Sequence, residues 1–546
     1  MKNFYITTPI YYSTGKPHIG HAYSTIMTDV LFRYKKLIGY NAFFLTGMDE
    51  HGQKVVEKAK ENGLLPQEFV DHNAEIFKNL WTLLDIKESF FIRTTNQKHI
   101  KFVQEIFSIL YKKDYLYKST WNTMYCVSCE ENIRDSDIVI KNDKETCIHG
   151  HDLISKSEES YFLRVTMFKD WLINYYESNK DFIFPSKRVK ELVSNFLNEE
   201  FEDLSVTRTN VKWGIQFLED KEHTIYVWID ALLNYLSSLE INHQLDDYWQ
   251  LSTEKIHVLS KEITRFHCIY WPIILKMLDL PLPTKILSHG WIITRKVETN
   301  ETIKMSKSLN NVIDPIDIIN DYDSDTLRYF LMKQISVTND TVFDPLILLS
   351  TYNSDLANNF GNIISRTIGM ITKYNNGIVP DFNKPTIKIN ELFLSDIENL
   401  FNYVIKKINE LNVNKIVDGI EGIANSINSF IEKSKPWEYF KNNQTVELNE
   451  FLSLLYNSVK VYVVSLTPIL TKKTILAINQ LNFKTKSLEL KKLFDYNLKK
   501  QIKVKLSEPI LPRKSDNLKA EKYNKKRWGE IIWITKILSL NQEQHS

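Results

Sequence analysis

The chain has 546 residues, of which 43% are hydrophobic and 25% charged, the balance of a soluble globular protein of two to four domains. Its 69 basic and 67 acidic residues nearly cancel to +2, so a nucleic-acid partner has to meet a local basic surface and not a global field. No apolar run reaches membrane-spanning length, and four cysteines in so long a chain exclude a disulfide scaffold; a cytoplasmic protein with no membrane partner is expected, with an organelle as the alternative.

The first element is NFYITTPIYY, an aromatic and β-branched run that predicts a buried strand and is broken by STGKP. From His18 onward Ala22, Ile26, Met27, Val30, Leu31, Tyr34 and Ile38 recur at helical spacing, and Gly39 is a C-cap. This motif starts before residue 20, so no signal peptide is expected ahead of it. NAFFLTGMDEHG repeats the plan, an apolar strand leading to a loop with Asp49, Glu50 and His51, and QKVVEKAKENG follows as a helix. Strand, loop, helix in this order predicts a parallel α/β sheet with its ligand site at the strand C-termini. Residues 116–225 interrupt the rhythm, hold three of the four cysteines and predict an inserted module. The α/β pattern resumes with HTIYVWIDALLNYL, KIHVLSKEITRFHCIYWPIILKML and LPTKILSHGWIIT. ETIKMSKSLNNVIDP reads as a polar loop, and from about residue 353 the pattern is helical throughout, which predicts a helix bundle with a lysine-rich tail.

Two short motifs carry chemistry. In HIGH, His18 and His21 are three apart on a first helical turn and project to one side, where a helix N-terminus favours phosphate. Gly20 between them lets a base or ribose approach the backbone. Two histidines that merely cap the helix would leave the same four residues. In KMSKS, Lys304 and Lys307 can bracket an oligophosphate and neutralise a leaving pyrophosphate, or be solvated in a lysine-rich chain. HIGH after the first strand and KMSKS after the last sheet strand together point to one nucleotide site.

TPIYYSTGKPHIGHAYSTIMTDVLFRY, GMDEHGQKV, YVWIDALLNY, FHCIYWP, SHGW, KMSKSLNNVIDP and DTLRYFL, in this order, resemble the blocks of the methionyl-tRNA synthetase family of class I aminoacyl-tRNA synthetases, of the bacterial or organellar single-knuckle type. The resemblance runs from residue 2 to at least residue 440 and implies a Rossmann-like catalytic domain in two halves (1–115 and 226–295), a connective insertion (116–225), a linker with KMSKS (296–352) and an anticodon-binding bundle (353–546). It implies formation of methionyl-adenylate from L-methionine and ATP with Mg2+, then transfer to tRNA(Met), initiator tRNA included. His18 and His21 would bind the ATP phosphates, Lys304 and Lys307 would close over them, and Gly20, Lys261, Glu262, His289, Gly290, Trp291 and Ser306 would line the ATP site. The methionine carboxylate is itself the nucleophile at the α-phosphate, so positioning and electrostatics suffice. Asp49 would meet the α-ammonium, and Ile10, Tyr12, Trp228, Ala231, Tyr235, Ile263 and His267 would form a pocket whose aromatic edges suit a thioether. Ser260 and Leu232 stand where the family has glycine and often proline. A cysteine, leucine or valine enzyme of the same class is disfavoured by the short insertion, and a binding protein without catalysis by the intact His18, His21, Lys304 and Lys307.

Cys126-x2-Cys129 and Cys147 with His149 and His151 have the spacing of a tetrahedral zinc knuckle. The regular fourth position falls on Gly150, so His149 or His151 has to serve, and a knuckle that has lost its metal is the alternative. Cys268 lies in an apolar helical pattern and is expected in the core. NFGNIISR and KSKPW resemble the family's anticodon-reading elements, which assigns Asn362, Arg366 and Trp437 to stacking and base-edge contacts. No further domain is expected after the bundle, and hence a monomer.

Overall fold

The computed structural model describes residues 2–129, 131–133, 137–141, 144–198, 200–295, 301–305, 311–381, 385–484 and 501–514. The contacts divide the chain into two compact units. One comprises Met1–Pro17, Tyr40–Thr82 and Ile86–His289; the other comprises His18–Gly39, Leu83–Asp85 and Gly290–Ser546 and includes helix α1, Ile19–Leu37. No helix among the described residues is long and apolar enough to cross a membrane.

The first unit is built on seven strands: β1 (Asn3–Thr7), β2 (Tyr11–Tyr12), β3 (Asn41–Asp49), β4 (Phe90–Arg93), β5 (Ile183–Phe184), β6 (Glu254–Ser260) and β7 (Lys285–His289). The order is β5-β7-β6-β1-β3, with β2 and β4 also on β3, and every pair is parallel. The run NFYITTPIYY is therefore two strands, because Pro9 has no N–H to give a ladder. β1 pairs with β6 on one side (Tyr5↔Lys255) and β3 on the other (Tyr5↔Phe43), so the chain order reverses around it. At such a point the strand C-termini open a crevice. Parallel strands buried on both faces must be apolar, and Phe4, Tyr5, Ile6, Phe44, Leu45, Val258, Leu259, Ile286 and Leu287 are buried. Helix α2, Val227–Ile241, is apolar almost all round and is buried along most of its length.

The inserted module contributes a long antiparallel ribbon, Leu116–Cys126 against Ile154–Leu163, with Glu131–Ile133 and Leu204–Ser205 at its edges. Its later part is woven into the main core: β5 lies at the edge of the parallel sheet, and Leu163, Val165, Leu172 and Tyr176 belong to the principal apolar cluster, as does Cys268.

In the second unit Ile292–Arg295 pairs with Thr302–Lys304 and Thr341–Val342. The loop expected from residue 301 thus begins as a strand, because Thr302 and Ile303 are β-branched and pair with Ile293–Arg295. Helices α3 (Ser324–Gln334), α4 (Asn362–Asn375), α5 (Lys388–Asn409), α6 (Val413–Ser434), α7 (Pro436–Lys441), α8 (Thr445–Leu466) and α9 (Lys473–Leu481) follow. α6 stops at Lys435, in the left-handed region at φ 48°, just before Pro436 starts α7. α1 is fixed in this unit by a buried ion pair: Arg328 Nη2 donates to Asp29 at 2.6 Å and to Pro468 O at 2.7 Å, and Nε donates to Ile469 O at 2.9 Å. Residues 501–514 run back along the bundle, with Val504 N donating to Gly377 O and Tyr352 donating to Pro512 O.

Candidate active site

In the first unit the predicted residues gather at the strand C-termini. Ile10 and Tyr12 follow β1, Asp49 ends β3, Lys261 to Ile263 turn out of β6, and the buried His289 ends β7. Trp228, Ala231 and Tyr235 share one face of α2 at spacings of three and four. Trp228 stacks flat on Phe266 at 3.7 Å and meets Tyr12 and His267 edge-on. The histidines of this aromatic cluster are held neutral. Ile263 O can only accept, so His267 Nδ1 carries the proton (3.0 Å), and its Nε2 accepts the Tyr235 hydroxyl at 2.7 Å. Burial holds His267 down at about 4. Behind it Trp271 Nε1 donates to His257 Nε2, so His257 Nδ1–H donates to Thr7 Oγ1 at 2.8 Å. Burial, with His267 and Lys255 nearby, pushes His257 well below the ordinary histidine value. Ser260 sits in ordinary extended backbone and its hydroxyl caps the turn at Glu262, so no glycine is required there.

The loop after β3 holds residues to which sequence reasoning gave no role. Glu50 is fully buried, takes Arg93 Nε at 2.6 Å and accepts the Thr95 hydroxyl. Burial raises its pKa, against the pull of Arg93 and Thr95. His51 Nδ1 lies 2.7 Å from Asp230 Oδ2, and His99 Nε2 lies 2.7 Å from Asp230 Oδ1. Burial raises the Asp230 pKa, but His51 and His99 outweigh it and hold the carboxyl below its usual value. The signal was present in YVWIDALLNY: a lone carboxylate in an otherwise apolar helix needs a buried partner.

In the second unit, both histidines of HIGH cap α1. Gly20 N donates to His18 Nδ1 and His18 N donates to His21 Nδ1, each at 3.0 Å, and the two rings lie 3.9 Å apart. The cap and phosphate readings are therefore compatible. A ring whose Nδ1 accepts keeps its proton on Nε2, a donor suited to a phosphate oxygen. The backbone is less open than a bare helix end, since Ile19 N already donates to Ile313 O. Gly20 has a local reason too, because a Cβ there would come within 2.8 Å of the His18 ring. Lys304 Nζ lies 4.3 Å over the Trp291 ring, and a Cβ on Gly290 would run into Asn339 O at 2.3 Å. Ser306 and Lys307 lie outside the described residues.

At the knuckle, ligand atoms of Cys126, Cys129, Cys147 and His151 all lie within 4.8 Å of one another. Cys129 Sγ and Cys147 Sγ are 3.8 Å apart, and His151 Nδ1 is 3.9, 3.5 and 3.4 Å from Cys126, Cys129 and Cys147. Bonds of about 2.3 Å to sulfur and 2.0–2.1 Å to nitrogen give a tetrahedron with edges of about 3.8 and 3.6 Å. The cluster has the size and donor set to hold a metal ion. Of the two histidine candidates, His151 belongs to it, while His149 Nδ1 approaches Cys129 at 3.6 Å. Gly150, at φ 80°, makes the turn that brings His151 round.

In the bundle, Asn362 and Arg366 lie one turn apart on α4, Arg366 donates to Glu432 of α6 at 2.8 Å, and Trp437 on α7 is 44% exposed.

The family model described as tRNA synthetases class I (M) matches residues 4–142 and 139–368. The methionine–tRNA ligase of Ureaplasma parvum is 47% identical over 518 residues, covering 94% of this chain and 98% of that protein. That of Mycoplasma genitalium is 41% identical over 529 residues, covering 94% and 100%. Among solved structures, Mycobacterium tuberculosis methionyl-tRNA synthetase in complex with methionyl-adenylate superposes with a TM-score of 0.87 at 27% identity, covering 94% of this chain and all of that one. Similarity of this depth along nearly the whole length shows that the chain belongs to the methionine branch of the class I tRNA synthetases.

Proposed function

We infer that this protein is a methionine–tRNA ligase: it joins L-methionine to ATP as methionyl-adenylate, releasing pyrophosphate, and transfers the methionyl group to the 3′ end of tRNA(Met), initiator tRNA included. The observation that carries this reading is the 47% identity to a methionine–tRNA ligase over 94% of the chain. The neutral aromatic pocket supports the choice of amino acid. Trp228, Tyr12, Tyr235 and Ile263 offer ring edges and aliphatic surface to a thioether, with no charge to attract a polar side chain. Asp49 meets the α-ammonium. The Nε2–H groups of His18 and His21 donate to phosphate oxygens of MgATP, and Lys304 and Lys307 neutralise the charge growing on the leaving pyrophosphate. Lys261, Glu262, His289, Gly290, Trp291 and Ser306 complete the nucleotide site. Asn362, Arg366 and Trp437 read the anticodon, for which Arg366 exchanges Glu432 for a base. We place the enzyme in the cytoplasm as a monomer.

Cys126, Cys129, Cys147 and His151 would hold one structural zinc ion, which would crosslink the ribbon tip and take no part in the reaction. Supporting this are the tetrahedral edge lengths and a donor set of three thiolates and one imidazole.

Methionine-dependent exchange of pyrophosphate into ATP tests the activity, and its absence in folded protein would refute the reading. About one equivalent of zinc is expected in purified enzyme; less than about a tenth in a folded, active sample rules the metal out.

A further inference from the structure

The loop after β3 and helix α2 build a hydrogen-bonded relay that the roles above leave unused. His99 Nδ1 is 2.6 Å from Ser237 Oγ and its Nε2 is on Asp230; Asp230 then holds His51 Nδ1. All four residues are buried. An ionised carboxylate can only accept, so the His51 proton sits on Nδ1 and its Nε2 lone pair is left outward. Among the described residues that Nε2 has no hydrogen-bond partner, and the ring borders a cleft lined also by Tyr125, Arg208, Trp213 and Tyr226. Three other buried imidazoles of this unit, His99, His257 and His267, each have both ring nitrogens bonded. Glu50, the neighbouring carboxylate, is occupied by Arg93 and Thr95. His51 thus lines a cleft and is held in one tautomer, with Nδ1 on a buried carboxylate and Nε2 left as the basic nitrogen, the arrangement of an oriented general base.

We propose that His51 Nε2 is the proton acceptor of the second half-reaction, the transfer of methionine from the adenylate to the tRNA, with Asp230 and His99 as positioning residues. The proposal rests on the ligase reading. A ribose hydroxyl at the tRNA 3′ end attacks the methionyl carbonyl carbon, and the new C–O ester bond forms. The bond from that carbon to the adenylate phosphate oxygen breaks, and AMP leaves with the electron pair. The hydroxyl proton passes to His51 Nε2 and from there to solvent. Adenylation releases no such proton, since its nucleophile is already a carboxylate, so His51 serves one half-reaction and not the other. The groups facing the ring are Asp230, with His99 beyond it, and Arg208, Tyr125 and Tyr226 across the cleft.

The test separates the two half-reactions. Pyrophosphate exchange and single-turnover transfer from preformed enzyme-bound adenylate to tRNA(Met) are measured in wild type, H51Q and H51A. Transfer by the wild type should rise with pH to a plateau, as for a single base that acts unprotonated. In H51Q it should fall roughly 100-fold and lose that rising limb, with a loss in exchange at least about tenfold smaller. Added imidazole should restore part of the transfer in H51A. Wild-type transfer speed in H51Q, a retained limb, or equal losses in both assays would overturn the proposal. Should neither variant fold, the wild-type profile decides, because transfer with no rising limb excludes a base that must first lose its proton. If the wild type lacked methionine-dependent exchange altogether, the ligase reading would fail instead, before His51 was in question.

Discussion

Single side chains already separate binding from chemistry. In the proposed mechanism the charge that Lys307 meets develops on the leaving group, so K307A should slow adenylation by about 10²-fold or more while the methionine dissociation constant stays within a few-fold of wild type. Pyrophosphate exchange beside equilibrium methionine binding measures the split, and wild-type exchange would remove Lys307 from the mechanism. Tyr235 behaves differently, because its hydroxyl satisfies a buried His267. Y235F strands that nitrogen, a cost of about 1–3 kcal/mol, and should weaken methionine binding or lower stability correspondingly. His267 also sets a pH dependence. Its folded pKa is about 4, against an ordinary value near 6.5. Between these, the unfolded chain binds a proton that the folded chain refuses. The stability this group contributes is therefore complete above about pH 6.5 and lost as pH falls toward 4. Urea unfolding should weaken from pH 7 to 5, and H267Q should remove up to about 1.4 kcal/mol of that drop per pH unit. An unchanged slope would mean that His267 is not buried in neutral form.

At the scale of elements, α1 is held by charge as well as by packing. Asp29 accepts from both Arg328 and Arg33, and both members of the Arg328 pair are fully buried. Removing the carboxylate alone leaves the Arg328 cation without its anion, so D29A should destabilise by about 3–5 kcal/mol in denaturant unfolding. A double variant, D29L with R328M, should recover much of this; if it were no better than D29A, the loss would come from packing and not from the orphaned charge. His18 and His21 sit at the head of this helix, so its anchoring bears on where their Nε2–H donors point. The ribbon module obeys the same logic with a different device. Cys126 and Cys147 share a small cluster with Ile133, too few residues to hold a ribbon tip by apolar burial, and the proposed metal ion would close it.

For the whole molecule, the proposed function assigns adenylation and anticodon reading to different residues, so each should be lost separately. W437A should weaken aminoacylation of tRNA(Met), by about 10-fold or more if the ring stacks on a base, and leave exchange unaltered. Equal losses in both assays would point to a folding defect instead. The division of the chain into units was the least legible feature. The helix that opens with His18 follows the first strand in sequence, yet its contacts group it with residues 290–546, and part of the insertion supplies an edge of the parallel sheet. Contiguity in the chain suggests otherwise, because periodicity reports which face of an element is apolar but not which element will cover it.

What the sequence determined by itself was the family, the parallel sheet and the helix bundle. These are carried by short motifs and by hydrophobic period, both local properties. Tertiary structure decided what depends on residues distant in the chain. It selected His151 over His149 through a turn at Gly150. It joined His51, His99 and Asp230 across 179 residues of sequence. It also fixed the tautomers of His18, His21, His257 and His267, because the protonated ring nitrogen is set by the donor or acceptor that folding brings beside it.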